Sequence, residues 1–154
     1  MKSLIIYKSI HHGNTRKIAK VMAQELKAQL LEVEEVKIDN LINYDLIGFG
    51  SGIYFWRHHK SLLSLVEKMP PLKKKVFIFS TSGAGFRDMK KNHQTLRENL
   101  LNKGYKVIDE FNCLGWDTVG PLKIFGGINK GHPNKEDLEK ARKFVKRIKE
   151  QLNR

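Results

Sequence analysis

Only one cysteine, Cys113, stands in the 154 residues, so no internal disulfide can form and a cysteine-rich zinc site is excluded. That suits a reducing compartment, and a cytoplasmic protein is expected. Long apolar runs are also missing. At the amino terminus Leu4 to Tyr7 is interrupted by Lys8, too short for a signal-peptide core, and no later segment approaches a membrane span. Repeats, low-complexity tracts and linker-like stretches are absent as well, so residues 1–154 are expected to form one domain able to bury a core without disulfides or structural metals.

Acidic residues are scarce. Sixteen Asp and Glu face 29 Lys and Arg, a formal charge of +13 that places a positive field around a small protein. Nucleic acid is the first partner such a charge suggests. The bases are nevertheless spread over every predicted helix, the longest run is Lys73-Lys74-Lys75, and no nucleic-acid motif accompanies them. The charge therefore reads as solubility and general steering, with no dedicated nucleic-acid site. A convincing nucleophile, acid pair or triad spacing is missing too, so no catalytic residue is assigned.

What the sequence does contain is alternation. Leu4 to Tyr7, Leu46 to Ser51 and Val76 to Phe79 are continuous apolar runs of the kind found in strands buried on both faces. Leu31 to Ile38 reads as a half-exposed strand whose parity shifts between Val33 and Val36, which places it at an edge. Tyr105 to Leu114 supplies a fifth strand. Between them lie helical stripes: Ile18, Ala19, Met22, Ala23 and Leu26; Leu62, Leu63, Val66 and Met69, stopped by Pro70; and Leu96, Leu100 and Leu101, ended by Gly104. The last helix, capped by Asn134, carries Leu138, Ala141, Phe144, Val145, Ile148 and Leu152.

Five strands alternating with helices predict a doubly wound parallel sheet of order 2-1-3-4-5 with helices on both faces. In such sheets ligands bind outside the carboxyl ends of the strands where the winding reverses, which singles out the loops after Tyr7, Gly50 and Phe79. The first loop, Ser9-Ile10-His11-His12-Gly13-Asn14-Thr15, passes directly into a helix. Helix-start amides, the close approach allowed by Gly13 and donors on Ser9, Asn14 and Thr15 would welcome a phosphate. Neither G-x-G-x-x-G nor G-K-[ST] is present, which favours a mononucleotide phosphate held by neutral donors. The competing reading is a helix capped by Asn14 or Thr15 with Gly13 as a simple turn.

Ser9 and Gly13-Asn14-Thr15 resemble the first loop of the flavodoxin family. The resemblance continues through Ile47-Gly48-Phe49-Gly50-Ser51-Gly52-Ile53-Tyr54, Ser80-Thr81-Ser82-Gly83 and Gly131-His132-Pro133-Asn134. It implies a flavodoxin-like fold and FMN as cofactor. Ile10-His11-His12 is one residue longer than the usual spacer; His11 and His12 could reach the phosphate or stand as solvated loop side chains. In the loop after the third strand, Ser51, Gly52, Ile53, Tyr54, Phe55 and Trp56 join close-approach glycine to three aromatics able to flank a planar ring, and the resemblance implies Gly52 and Tyr54 toward its redox-active nitrogens. The same aromatics could merely pack the next helix. Thr81, Ser82, Gly83, Gly85 and Phe86 would face that loop, offering donors to the pyrimidine edge with Phe86 as a flank.

His11, His12, His58 and His59 invite a metal-site reading, but adjacent residues rarely converge on one ion and no carboxylate or cysteine accompanies them, so no metal is assigned. The stretch from Gly115 to Pro133 lacks a helical period; it is expected to be ordered by Trp116 and Ile124 or Phe125, either shaping the site mouth or connecting passively. The resemblance implies an electron-transfer protein working between redox partners, and the basic surface makes those partners acidic. Two alternatives share the fold: an FMN-dependent NAD(P)H or quinone oxidoreductase, and a flavin-free interaction module.

Overall fold

A computed structural model describes residues 1–118 and 120–154, with Phe86, Gly120 and Pro121 described by backbone alone. The strands are β1 (Ser3–Lys8), β2 (Gln29–Glu32), β3 (Leu46–Tyr54), β4 (Arg57–His58), β5 (Lys75–Ser82) and β6 (Lys106–Leu114). Five of them pair in parallel in the order β2-β1-β3-β5-β6, while the two-residue β4 folds back antiparallel on the end of β3. Apart from that extra strand, the order is the expected 2-1-3-4-5. The winding reverses at β1 and β3.

Strand parity explains the continuous apolar runs. Leu4 and Ile6 of β1 join Ile47, Phe49, Val76 and Ile78 in one core with Leu62 and Val66 of α2 (Lys60–Lys68). Ile5 and Tyr7 face the other way, joining Phe77 and Phe79 beneath Ile18 and Met22 of α1 (Asn14–Leu26). The short α3 (Met89–Asn92) precedes α4 (Gln94–Asn102), whose Leu96 and Leu100 enter the first core; α5 (Lys135–Leu152) places Phe144, Val145 and Ile148 in the second. Both faces are covered, so neither can be polar. In the second core, Phe77 and Phe79 lie directly over Gly48 and Gly50, where an added Cβ would come within 2.3 Å and 2.2 Å of their rings.

Two sequence expectations need correction, and one element lay outside them. The second strand is Gln29–Glu32, not a segment reaching Ile38. Glu35 turns back so that its carboxylate accepts the Glu32 amide at 2.7 Å, and the chain leaves the sheet as a 3-10 turn over Val33–Glu35. The hairpin containing β4 was not foreseen. Ile124 and Phe125 do not order the long connection, since each is 83% exposed. That work falls to Trp116, whose indole N–H donates to Gly126 O at 2.9 Å, and to the paired backbones of Asp117 and Ile128.

Candidate functional site

The first loop enters α1 through two consecutive left-handed residues, His12 (φ 54°) and Gly13 (φ 65°). A Cβ on Gly13 would meet nothing within 4 Å, so conformation rather than crowding calls for glycine there. The Asn14 amide reaches His11 O at 3.4 Å and the Arg16 amide donates to Ser9 Oγ at 3.3 Å. Among the described residues the Gly13 and Thr15 amides have no such partner, as is usual where a helix begins. A helix start with open donors and its partial positive charge suits an anion.

The polar side chains of this loop tie it to its neighbours. Thr15 Oγ1 and Thr81 Oγ1 lie 2.9 Å apart in a buried contact, and Asn14 Nδ2 donates to Trp116 O at 2.9 Å. Each group keeps donor capacity: one hydrogen of the two threonine hydroxyls, the second amide hydrogen of Asn14 and the Ser9 hydroxyl hydrogen. These groups border a crevice that is also lined by Ile10 and His11. His12 turns away to stack on Trp116, with ring centroids 3.7 Å apart, and its Nε2 meets Thr118 Oγ1 at 2.8 Å.

From β3, Gly52, Ile53 and Tyr54 line the crevice while Phe55 and Trp56 stand outside it on the hairpin turn. Ser51 is fully buried; its hydroxyl donates to Gly52 O at 2.6 Å and accepts the His59 amide at 2.9 Å, fixing the base of the hairpin. Burial, helped by the charge of Asp117, raises the Tyr54 phenol above its ordinary value, so it stays protonated. From β5 and the residue after it come Thr81, Ser82 and Gly83. Gly85 lies just beyond, its amide donating to Ser82 Oγ at 3.1 Å, and the side chain of Phe86 lies outside the described residues.

Behind β5 runs a buried polar chain that sequence reasoning missed. Ser80 Oγ meets His93 Nε2 at 2.6 Å, His93 Nδ1 meets Glu110 Oε2 at 2.9 Å, and Arg97 Nη2 donates to the same carboxylate at 2.7 Å. Asn112 Nδ2 donates to Ser80 Oγ at 2.7 Å and to Ser82 Oγ at 3.3 Å, joining the chain to the crevice lining. The order Ser, His, Glu copies a hydrolytic triad, but Ser80 and His93 are wholly buried and no substrate can reach the hydroxyl. Its role is to brace β5. Although burial alone would raise the Glu110 carboxyl, hydrogen bonds from Arg97 and His93 bring it down to about 2. Burial, reinforced by neighbouring His93, pushes His58 down to about 3; its Nε2 meets Phe79 O at 3.2 Å. Among the described residues no three His, Cys, Asp or Glu side chains are arranged to hold a metal, and burial raises the Cys113 thiol so that it stays protonated.

Gly115, Trp116 and Asp117 complete the crevice. They follow the carboxyl end of β6, so the rule that selected the other three loops applied to them as well. A Cβ on Gly115 would meet Asn14 Nδ2 at 2.8 Å, which is how closely the first and last loops approach.

A doubly wound parallel sheet with a crevice at its carboxyl edge, opening where the strand order reverses, defines the flavodoxin-like class. Residues 4–121 match the flavodoxin domain family, and the chain belongs to it. It is 52% identical over 149 residues to an uncharacterized protein of Methanocaldococcus jannaschii, spanning 96% of this chain and 98% of that relative. Oxidised flavodoxin 2 of Bacillus cereus superposes with a TM-score of 0.72 at 21% identity, covering 98% of this chain and 99% of the other. A Fusobacterium nucleatum flavodoxin bound to flavin mononucleotide gives 0.68 at 15%, over 98% and 99% of the two chains. No helix among the described residues is long and apolar enough to cross a membrane.

Proposed function

We propose that the chain, acting as a single cytoplasmic domain, binds FMN non-covalently in the crevice and carries electrons between redox partner proteins. One observation carries the reading: the loops after β1, β3 and β5 converge on one crevice at whose end α1 presents open amides and neutral donors. A phosphate would rest on the Gly13 and Thr15 amides with Ser9, Asn14 and Thr15 around it. Tyr54 would flank the ring from the β3 side, and Thr81, Ser82 and Gly83 would offer donors from the β5 side. FMN, when bound, supplies the one- and two-electron chemistry. The protein's part is to anchor, to limit water and to fix the donors, for which the braced β5 is suited.

Titrating the apoprotein with FMN and with riboflavin, read by quenching of flavin emission, tests this. FMN should bind much more tightly than riboflavin. Equal affinities would remove the phosphate assignment, and binding of neither would remove the flavin reading.

A further inference from the structure

Two aromatics occupy a turn that suits neither. β3 and β4 pair through Ile53 with His58 and Tyr54 with Arg57, leaving Phe55 and Trp56 as a two-residue connection with φ of 49° and 60°. Such turns favour Asn-Gly, because larger side chains are strained at positive φ. Burial does not compensate, since Phe55 is 91% and Trp56 56% exposed. The hairpin is nonetheless held firmly from below. His58 is buried against Phe79 O, Ser51 accepts the His59 amide, and Tyr54 packs edge-on against His59 with ring centroids 5.2 Å apart. The tip is a fixed apolar knob beside the crevice that Tyr54 lines.

Cations surround it. Lys91 Nζ lies 4.6 Å from the Trp56 ring centroid, and Arg57 follows in the hairpin, exposed. Lys91 continues into a shallow surface groove with Arg87, Lys90, Arg97, Asp88 and Glu98. Arg97 is tied to Glu110, which leaves Arg87, Lys90 and Lys91 as the exposed cations of that groove.

Resting on the electron-carrier reading, we propose that the hairpin tip and this groove form the docking surface for an acidic redox protein, with Phe55 and Trp56 seated in an apolar cleft of the partner and its carboxylates over Arg57, Lys90 and Lys91. Strain left unrelieved in the free protein is then strain kept for contact, as binding sites often keep it. Aromatic anchors ringed by charge are the usual energetic centre of such interfaces, while the +13 field speeds encounter. A protein cleft fits better than an anionic membrane, because the apolar element is only the two side chains of the turn, Phe55 and Trp56, too small a surface to seat in a bilayer.

The test uses FMN-loaded protein and an acidic iron–sulfur ferredoxin as probe, with binding measured calorimetrically at low and high salt. Phe55→Asn with Trp56→Gly installs the residues the turn prefers, so it should raise thermal stability yet weaken ferredoxin binding roughly tenfold or more. Lys90→Glu with Lys91→Glu should weaken it comparably at low salt and little at high salt. Ferredoxin binding unchanged in both variants, or absent in the wild type, would overturn the proposal. So would loss of FMN affinity in the hairpin variant, which would return the tip to the cofactor site, or variant-sensitive binding to phosphatidylserine vesicles in place of ferredoxin. Because the readout is binding rather than electron flow, failure of the carrier reading in a redox assay is scored separately.

Discussion

His93 Nε2 lies 2.6 Å from Ser80 Oγ while its Nδ1 lies 2.9 Å from Glu110 Oε2, and the two contacts fix each other. A carboxylate can only accept, so Nδ1 carries the proton and donates. In the neutral ring Nε2 must then accept from the Ser80 hydroxyl, whose oxygen is left to receive Asn112 Nδ2. Every donor in this chain has one direction. Burial lowers His93 against the pull of Glu110, which keeps the neutral ring in place.

Removing the ring leaves a buried hydroxyl and a partly buried carboxylate short of partners. His93→Ala should cost about 3–5 kcal/mol, combining lost packing with an unpaired polar group. Urea unfolding of wild type and variant measures it. A loss below about 1 kcal/mol would mean that water or Arg97 replaces the ring without penalty.

Acid should destabilise the fold in a defined window. His58 has an ordinary value of 6.5 and is held near 3, and Glu110 has an ordinary value of 4.5 and is held near 2. In both cases the unfolded chain takes up protons first as pH falls. Stability is therefore fully present above about pH 6.5 and declines toward pH 2, each pH unit of a gap contributing up to about 1.4 kcal/mol. Urea midpoints across pH 8 to 3 should show the decline, and His58→Leu should flatten its upper half. A profile level down to about pH 4 would contradict the buried neutral His58.

The arrangement of the sheet was legible because burial on both faces writes itself as unbroken apolar runs, as in Leu4 to Tyr7 and Val76 to Phe79. Local polar pairing was not. The exchange between Glu32 and Glu35 ends β2 early; the parity shift between Val33 and Val36 falls at this turn but reads equally as an edge strand. His93 lies in Lys90-Lys91-Asn92-His93-Gln94, which reads as a solvated segment; its burial depends on Ser80 and Glu110, 13 and 17 residues away. Tyr54, Phe55 and Trp56 read as one aromatic cluster. Only the reversal at the hairpin turn sends the first into the crevice and the other two outward.

At the first loop, Asn14→Ala with Thr15→Ala should weaken FMN binding, because each lost hydrogen bond to a charged group costs about 1.5–3 kcal/mol. The Thr15 tie to Thr81 and the Asn14 tie to Trp116 disappear with it. Riboflavin affinity separates the causes: loss for FMN alone marks lost phosphate contacts, whereas equal loss for both marks a loosened crevice. Unchanged FMN affinity in a folded variant would remove both residues from the site.

Tyr54 is the aromatic of the hairpin that lines the crevice. Tyr54→Ala should weaken FMN binding and reduce quenching of its emission, whereas Trp56→Ala should leave quenching as it is. The reverse pattern would place the tip over the ring.

The central claim, a carrier that takes its electrons from a protein, is tested most directly by anaerobic stopped-flow reduction of the FMN-loaded chain. NADH or NADPH alone should bleach the flavin slowly, and adding a flavodoxin reductase should accelerate bleaching by orders of magnitude. That acceleration should fade as salt rises, since exposed charges are screened beyond about 8–10 Å near physiological ionic strength. Rapid bleaching by NAD(P)H alone, sustained through many turnovers by a quinone acceptor, would contradict the carrier reading and make the protein an oxidoreductase.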